Sequence, residues 1–510
     1  MLFRVRSGAV VGITAYPIWV EVDFESGRKP KFRTVGLPDA AVRESHQRIK
    51  AALRNCGFAI PAKNITINLA PANLKKEGAA FDLPMAVGIL GAAGLVHAQD
   101  PVSCLFTGEL SLDGSVRPVR GALPMASMAR EQGISSLIVP EANASEAAIV
   151  EGVRAFPVRN LLEVVALLNG ERPWVAHTID RARLMAPSSF QEADFRDIRG
   201  QYQAKRAMEV AVSGGHNVLL VGPPGSGKTM LARRLPTILP PMSFDEAIET
   251  TKIHSVAGLI SDRGGLISRR PFRSPHHTVS AAGLVGGGAV PRPGEVSLAH
   301  NGVLFLDELP EFPRQVLDLL RQPLEDGEVS IARAARSLTF PARFMMAAAM
   351  NPCPCGYRGD RQHECSCTPP MVQRYLCRVS GPLFDRIDLH VQVAAVPYRE
   401  LAGEGESEDS RAVRERILVA RRIQQERLGG YGITCNAQMA PRLLRRFCRL
   451  DSGGERLLED AVTRLGLSAR AYDRILRVSR TLADLEGDGT IQPRHVAEAI
   501  QYRTLDRNIG

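Results

Sequence analysis

Gly222-Pro223-Pro224-Gly225-Ser226-Gly227-Lys228-Thr229 places three glycines, a lysine and a hydroxyl in eight residues. The spacing G-x-x-x-x-G-K-T suits a nucleoside triphosphate. Glycines let consecutive backbone N–H groups turn inward and cradle phosphate oxygens, where a side chain would block the approach. Lys228 can reach the β- and γ-phosphates, and the Thr229 hydroxyl can ligate Mg²⁺. The whole loop therefore reads as a site for ATP or GTP with Mg²⁺.

Asp307 and Glu308 end an apolar run, Val303–Leu306, about 80 residues further on. A carboxylate at such a strand tip can hold the Mg²⁺ water shell, and its neighbour can polarise the attacking water. Asn351 follows the apolar run Phe344–Met350; it can orient water or γ-phosphate, or simply end the strand before Pro352. Arg386 stands just before another expected strand, and an arginine that meets transition-state charge speeds such hydrolysis by roughly 10³–10⁵. If that arginine comes from a neighbouring subunit, the active site exists only in an oligomer.

Arg333 and Arg336 fall at the expected tip of a hairpin over Gly327–Phe340, placed to meet DNA phosphates or merely solvated. Cys353, Cys355, Cys365 and Cys367 form two C-x-C pairs separated by nine residues. Four thiolates suit a structural Zn²⁺, with His363 as an alternative fourth ligand. The spacing departs from the usual C-x₂₋₄-C, so reduced, unmetallated thiols are the competing reading. His276 and His277 have no role that their types and spacing supply.

The order of phosphate loop, acidic strand end, hairpin, Asn351, Arg386 and a helical C-terminal lid resembles the AAA+ ATPases. Asp197-Ile198-Arg199-Gly200-Gln201 resembles that family's approach to the adenine pocket. The runs Arg270–Thr278, Pro293–Gly302 and Asn351–Gly356 resemble its magnesium-chelatase-like branch. With the N-terminal region included, the chain resembles the YifB/ComM family. The resemblance implies a bacterial hexameric ATPase associated with branch migration of recombining DNA during natural transformation. It further implies a homo-oligomer working on DNA beside recombination proteins, as a DNA-dependent helicase. Carried over, Lys228 and Thr229 take phosphate and Mg²⁺, Asp307 and Glu308 form Walker B, and Asn351 is the sensor. Arg386 matches the trans arginine finger, and Arg470 matches the lid arginine, with Arg474 one turn later as competitor. An ATPase subunit of a metal chelatase and an ATP-dependent unfoldase are the rival readings.

Residues 64–140 resemble the proteolytic domain of Lon, as in Leu74–Asp82 and Thr107–Val119. Lon needs a serine nucleophile and a lysine to take its proton. Those positions fall on Ala80 and Leu123, which can do neither. A scaffold is the expectation, as in RadA, which looks to share this domain.

These residues demand an α/β fold: an AAA+ P-loop domain with a helical lid, preceded by a Lon-like α/β domain. Alternating and apolar runs place the N-terminal domain at 1–170. A polar stretch with Pro173 and Pro187 reads as a linker at 171–195. The nucleotide domain runs over 196–396, the acidic run 403–409 reads as a solvated loop, and residues 411–507 form the lid. At 45% hydrophobic and 23% charged residues, the composition is that of a soluble globular protein. The longest apolar stretch, Met85–Ala98, falls short of the ~20 residues a membrane span needs. A cytoplasmic protein is expected. Residues 411–510 hold 19 Arg against 12 Asp plus Glu, an excess that suits an anionic polymer.

Overall fold

The computed structural model describes residues 2–25, 31–59, 63–97, 103–185, 193–260, 265–288, 291–333, 336–360, 363–396 and 407–503. The chain divides into two compact units, Met1–Ala186 with Ser243–Ser268, and Pro187–Met242 with Arg269–Gly510.

The first unit is built on a seven-stranded mixed sheet. Its strands are β1 (Phe3–Val11), β2 (Thr14–Glu25), β3 (Phe32–Val35), β4 (Asn64–Ala70), β5 (Cys104–Phe106), β6 (Ser136–Pro140) and β7 (Arg154–Val158), in the order β3-β4-β2-β1-β5-β6-β7. β4 alternates buried and half-buried residues, as a strand with one covered face should. The helix Asp82–Ala92 is apolar on all sides and buried along its whole length, so Met85–Ala98 is core. No helix among the described residues is long and apolar enough to cross a membrane. The helix Phe244–Ala257 belongs to this unit although it lies beyond the phosphate loop in sequence. Phe244, Ile248 and Leu266 pack on the cluster around Leu123, Met125 and Leu137, so the 196–396 stretch is not contiguous in space.

The second unit holds a five-stranded sheet of β8 (Val218–Val221), β9 (Phe272–Arg273), β10 (Val303–Leu306), β11 (Met345–Met350) and β12 (Leu389–Gln392). The order is β9-β10-β11-β8-β12, and every pair is parallel. Parallel strands are covered on both faces, which is why β8, β10 and β11 are unbroken apolar runs and wholly buried. The lid helices Ser410–Leu428, Ser452–Leu465, Ala469–Glu486 and Pro493–Gln501 share one core with the sheet: Val413, Ile417, Ile475 and Val496 join Val218, Leu220 and Phe305. Pro493 and Pro441 each occupy the first helical position, where a missing N–H costs nothing. The expected α/β class holds. The expected 171–195 linker contains a short helix, Arg181–Met185, and a single 3₁₀ turn, Phe195–Asp197.

Candidate nucleotide site

The phosphate loop follows β8 at its C-terminal end and passes directly into the helix Lys228–Ile238. Gly225 and Gly227 stand at φ of 75° and 89°, a left-handed backbone that side chains disfavour. At Gly222 the reason is space: a Cβ would lie 2.1 Å from Val393 O and 2.9 Å from Ser226 Oγ. Lys228 Nζ donates to Gly222 O and Pro223 O, each at 2.8 Å, and to Asn351 Oδ1 at 3.2 Å. Burial lowers its pKa while Asp307 works in the opposite direction. Thr229 Oγ1 donates to Asp307 Oδ2 at 2.7 Å. An ammonium held on carbonyls at a helix N-terminus, beside a hydroxyl–carboxylate pair, fits a triphosphate with its Mg²⁺.

Sequence distance hides how closely this set assembles. β10 and β11 run alongside one another and β8 pairs with β11, so Asp307 and Asn351 arrive at the same sheet edge as the loop. Glu308 lies next to Asp307 at φ 52° and is exposed, with His277 Nδ1 3.4 Å from its Oε2. Gln201, also left-handed, donates to Ala394 O at 2.6 Å and to Ser226 O at 3.3 Å, tying the adenine-side segment to the loop.

Arg386 is elsewhere. It precedes β12, and Asp388 N donates to Asn217 O at the start of β8, so Arg386 lies at the N-terminal edge of the sheet. The length of β8, roughly 10–13 Å at ~3.3 Å per residue, separates that edge from the phosphate loop. Arg386 is nearly buried; its Nη1 donates to Pro382 O at 2.6 Å and its Nη2 pairs with Glu325. Burial lowers its pKa, as do Arg470, Arg321 and Arg474 around it, against the pull of Glu325. Arg470 is exposed and makes no hydrogen bond or ion pair with the described residues. Arg474 is bound to Asp388, a buried carboxylate that also accepts from Asn217 N at 2.9 Å and faces His216 at 3.7 Å. Burial opposes ionisation of Asp388, but Arg474 and His216 outweigh it and hold the carboxyl well below its ordinary range. This network had no signal in the sequence beyond a strand-flanking aspartate.

Strands Glu328–Arg333 and Arg336–Pro341 pair antiparallel as the expected hairpin, with Arg333 opposite Arg336. The side chains of these two arginines lie outside the described residues, as do residues 403–406 of the acidic run. Its remainder is anchored: Ser407 Oγ donates to Ile198 O, and Glu408 pairs with Arg416.

The sulfurs of Cys353, Cys355, Cys365 and Cys367 all lie within 4.8 Å of one another. Cys353–Cys355, Cys353–Cys365 and Cys355–Cys365 are 3.3, 3.7 and 3.6 Å apart, too long for disulfides. His363 is not part of the group; it faces Asp360 and its ring lies 4.7 Å from that of Tyr357. The N–H of Tyr357, with other hydrogen bonds, draws the Cys355 thiol down to about 6. The Lon positions are apolar core: Leu123 is fully buried, and Ala80 packs against its cluster.

A five-stranded parallel sheet with this loop at one edge and a helical lid defines an AAA+ ATPase of the magnesium-chelatase-like kind. The family descriptions agree: "Magnesium chelatase, subunit ChlI" matches residues 194–401, "Subunit ChlI of Mg-chelatase" matches 20–143, and "Magnesium chelatase, subunit ChlI C-terminal" matches 407–503. The chain is 46% identical over 507 residues to competence protein ComM of Haemophilus influenzae, covering 99% of this chain and 97% of that one. It is 44% identical over 511 residues to YifB of Salmonella typhimurium, covering 99% and 97%. Lon protease 2 of Bacillus subtilis is 31% identical over 148 residues, 28% of this chain and 26% of that one. The chain belongs to the YifB/ComM family. ATP and Mg²⁺ are the cofactors this family implies.

Proposed function

We propose that this ATPase works as a homo-oligomeric ring, a hexamer, that couples ATP hydrolysis to movement of DNA strands by branch migration. The observation that carries the ring is the position of Arg386. It sits at the sheet edge opposite the phosphate loop, so it can meet only a triphosphate held by another copy. Arg470 shares that edge and joins it in trans; Arg474 is the lesser candidate because Asp388 already holds it.

Within one subunit, Lys228, Thr229, Asp307 and the N–H groups of the loop hold ATP and Mg²⁺. The metal, when bound, neutralises charge developing on the phosphates. Glu308 polarises the attacking water, and Asn351, bonded to Lys228, reports the γ-phosphate. Arg386 must leave Glu325 to act, so subunit contact and finger release are coupled.

DNA as partner is supported by the basic lid and by the hairpin, whose second strand runs into β11 and hence to Asn351. The printed name of the Haemophilus relative, a competence protein, points toward incoming DNA in the cytoplasm, where recombination proteins would be co-workers. The four thiolates hold a structural Zn²⁺: bonds of ~2.3 Å to a tetrahedral ion put sulfurs ~3.8 Å apart, close to the spacing seen. The metal would pin the loop after Asn351. The N-terminal unit is a scaffold without peptidase chemistry. ATPase assays with and without branched DNA, on protein of measured zinc content, test the set. Turnover indifferent to every DNA structure, with no strand displacement, would refute the DNA reading.

A further inference from the structure

Glu308 has one ionic partner among the described residues, and it is His277. The loop carrying His277 is held at both ends. Arg270 donates to Pro240 O at 2.7 Å and Asn301 O at 2.8 Å, and Arg273 grips Glu295 through two bonds of 2.6 and 2.7 Å. Inside the loop, His276 Nδ1 and Thr278 Oγ1 are 2.9 Å apart, and Val279 N donates to His276 O. The His277 ring is flanked by that of His276 at 4.0 Å and by the edge of Phe312 at 6.4 Å. The imidazole is thus aimed, not free.

The loop also has a mechanical neighbour. It leads through the Ser280 cap into the helix Ala281–Val285 and then to Gly286. Gly286, at φ 102°, meets the hairpin so closely that a Cβ would come within 2.8 Å of Ile331 Cδ1. The hairpin and the carboxylate are therefore the two ends of one short, packed segment.

We propose that His277 is a positioning residue that restrains Glu308, and that displacement of the 328–341 hairpin releases it. With a proton on Nδ1, His277 donates to the carboxylate and occupies the lone pair that would otherwise take up the attacking water's proton. Hairpin movement, carried through Ile331 and Gly286 to the 281–285 helix, withdraws the imidazole and frees the base. The proposal rests on Glu308 as the water-activating group, and its test separates the two.

ATP turnover without DNA, and ATP affinity, are measured for His277→Ala and His277→Asn. His277→Ala is expected to raise DNA-free turnover about two- to fivefold, the size of a partly exposed charge pair, at unchanged ATP affinity. His277→Asn keeps a donor and is expected to restore the wild-type rate. Unchanged or lower turnover in His277→Ala overturns the proposal. So does an altered ATP affinity that His277→Asn fails to rescue, the mark of a purely structural loop. Near-normal hydrolysis by Glu308→Gln would instead remove the base assignment itself.

Discussion

The two edges of the five-stranded sheet hold opposite kinds of charge arrangement. At the C-terminal edge, Lys228, Thr229, Asp307 and Asn351 bond mainly to backbone carbonyls and to one another. Polar groups satisfied by neighbours of modest strength can be reorganised by a stronger ligand, and a triphosphate with Mg²⁺ is one. At the N-terminal edge, Asp388 is locked by Arg474, His216 and Asn217, and Arg386 by Glu325. One edge is prepared to receive; the other is prepared to be presented. Both use arginine or lysine against carboxylate, so the difference lies in burial and in which partners are expendable.

The comparison breaks most visibly at Arg386. Arg386→Ala is expected to bind ATP normally and lose about 10³-fold or more in turnover, because it removes transition-state stabilisation only. Lys228→Ala should fail to bind ATP, and mixing the two proteins should recover activity, since a mixed interface can pair an intact loop with an intact arginine. Titration of mixing ratios with no recovery, in rings shown to be mixed, would return Arg386 to a structural role.

Glu308→Gln sharpens the receiving edge. Loss of a general base costs roughly 10²–10⁴ in rate, so this variant should retain ATP on a filter while turnover collapses.

The locked edge predicts a stability effect. Asp388→Ala strands Arg474 and His216 and should cost about 3–5 kcal/mol in denaturant unfolding. The sign in pH follows from the depressed native pKa of Asp388. Its contribution is complete above the unfolded carboxylate value of ~3.9 and fades as pH falls below that toward the native value. Wild-type protein should therefore lose stability on acidification below about pH 4 more steeply than Asp388→Asn. Parallel acid profiles would show that the pair adds nothing.

The smallest effect is expected at the hairpin, which belongs to neither edge. Arg333→Ala with Arg336→Ala should flatten the salt dependence of DNA affinity by up to about two units of slope. DNA-free turnover should be retained and strand movement lost. Unchanged branch migration would assign DNA to the basic lid instead.

Much of this was legible because its physics is local. Val218–Val221 reads as a buried strand from its own apolar run, the phosphate loop from glycines at positions needing positive φ or open space, and the hairpin from strict alternation. Pro441 and Pro493 mark helix starts by their missing N–H groups. Helix Phe244–Ala257 was legible as a helix, with a Ser243–Glu246 capping box. Its membership of the first unit was not, since an amphipathic face does not specify which core it will meet.

By itself the sequence determined the chemistry available: a phosphate cradle, a pair of carboxylates, four thiols, a protease fold whose two reactive positions are Ala80 and Leu123. Local spacing is enough for that, because backbone conformation and side-chain type are properties of a few adjacent residues. Only the tertiary structure decided which edge each group reached. Parallel pairing carried Asp307 and Asn351 to Lys228 and left Arg386 at the other end of the same strands. It also set Arg474 against Asp388, excluded His363 from the cysteines, and put His277 on Glu308. Those outcomes depend on strand order and register, which are settled by burying the whole sheet at once.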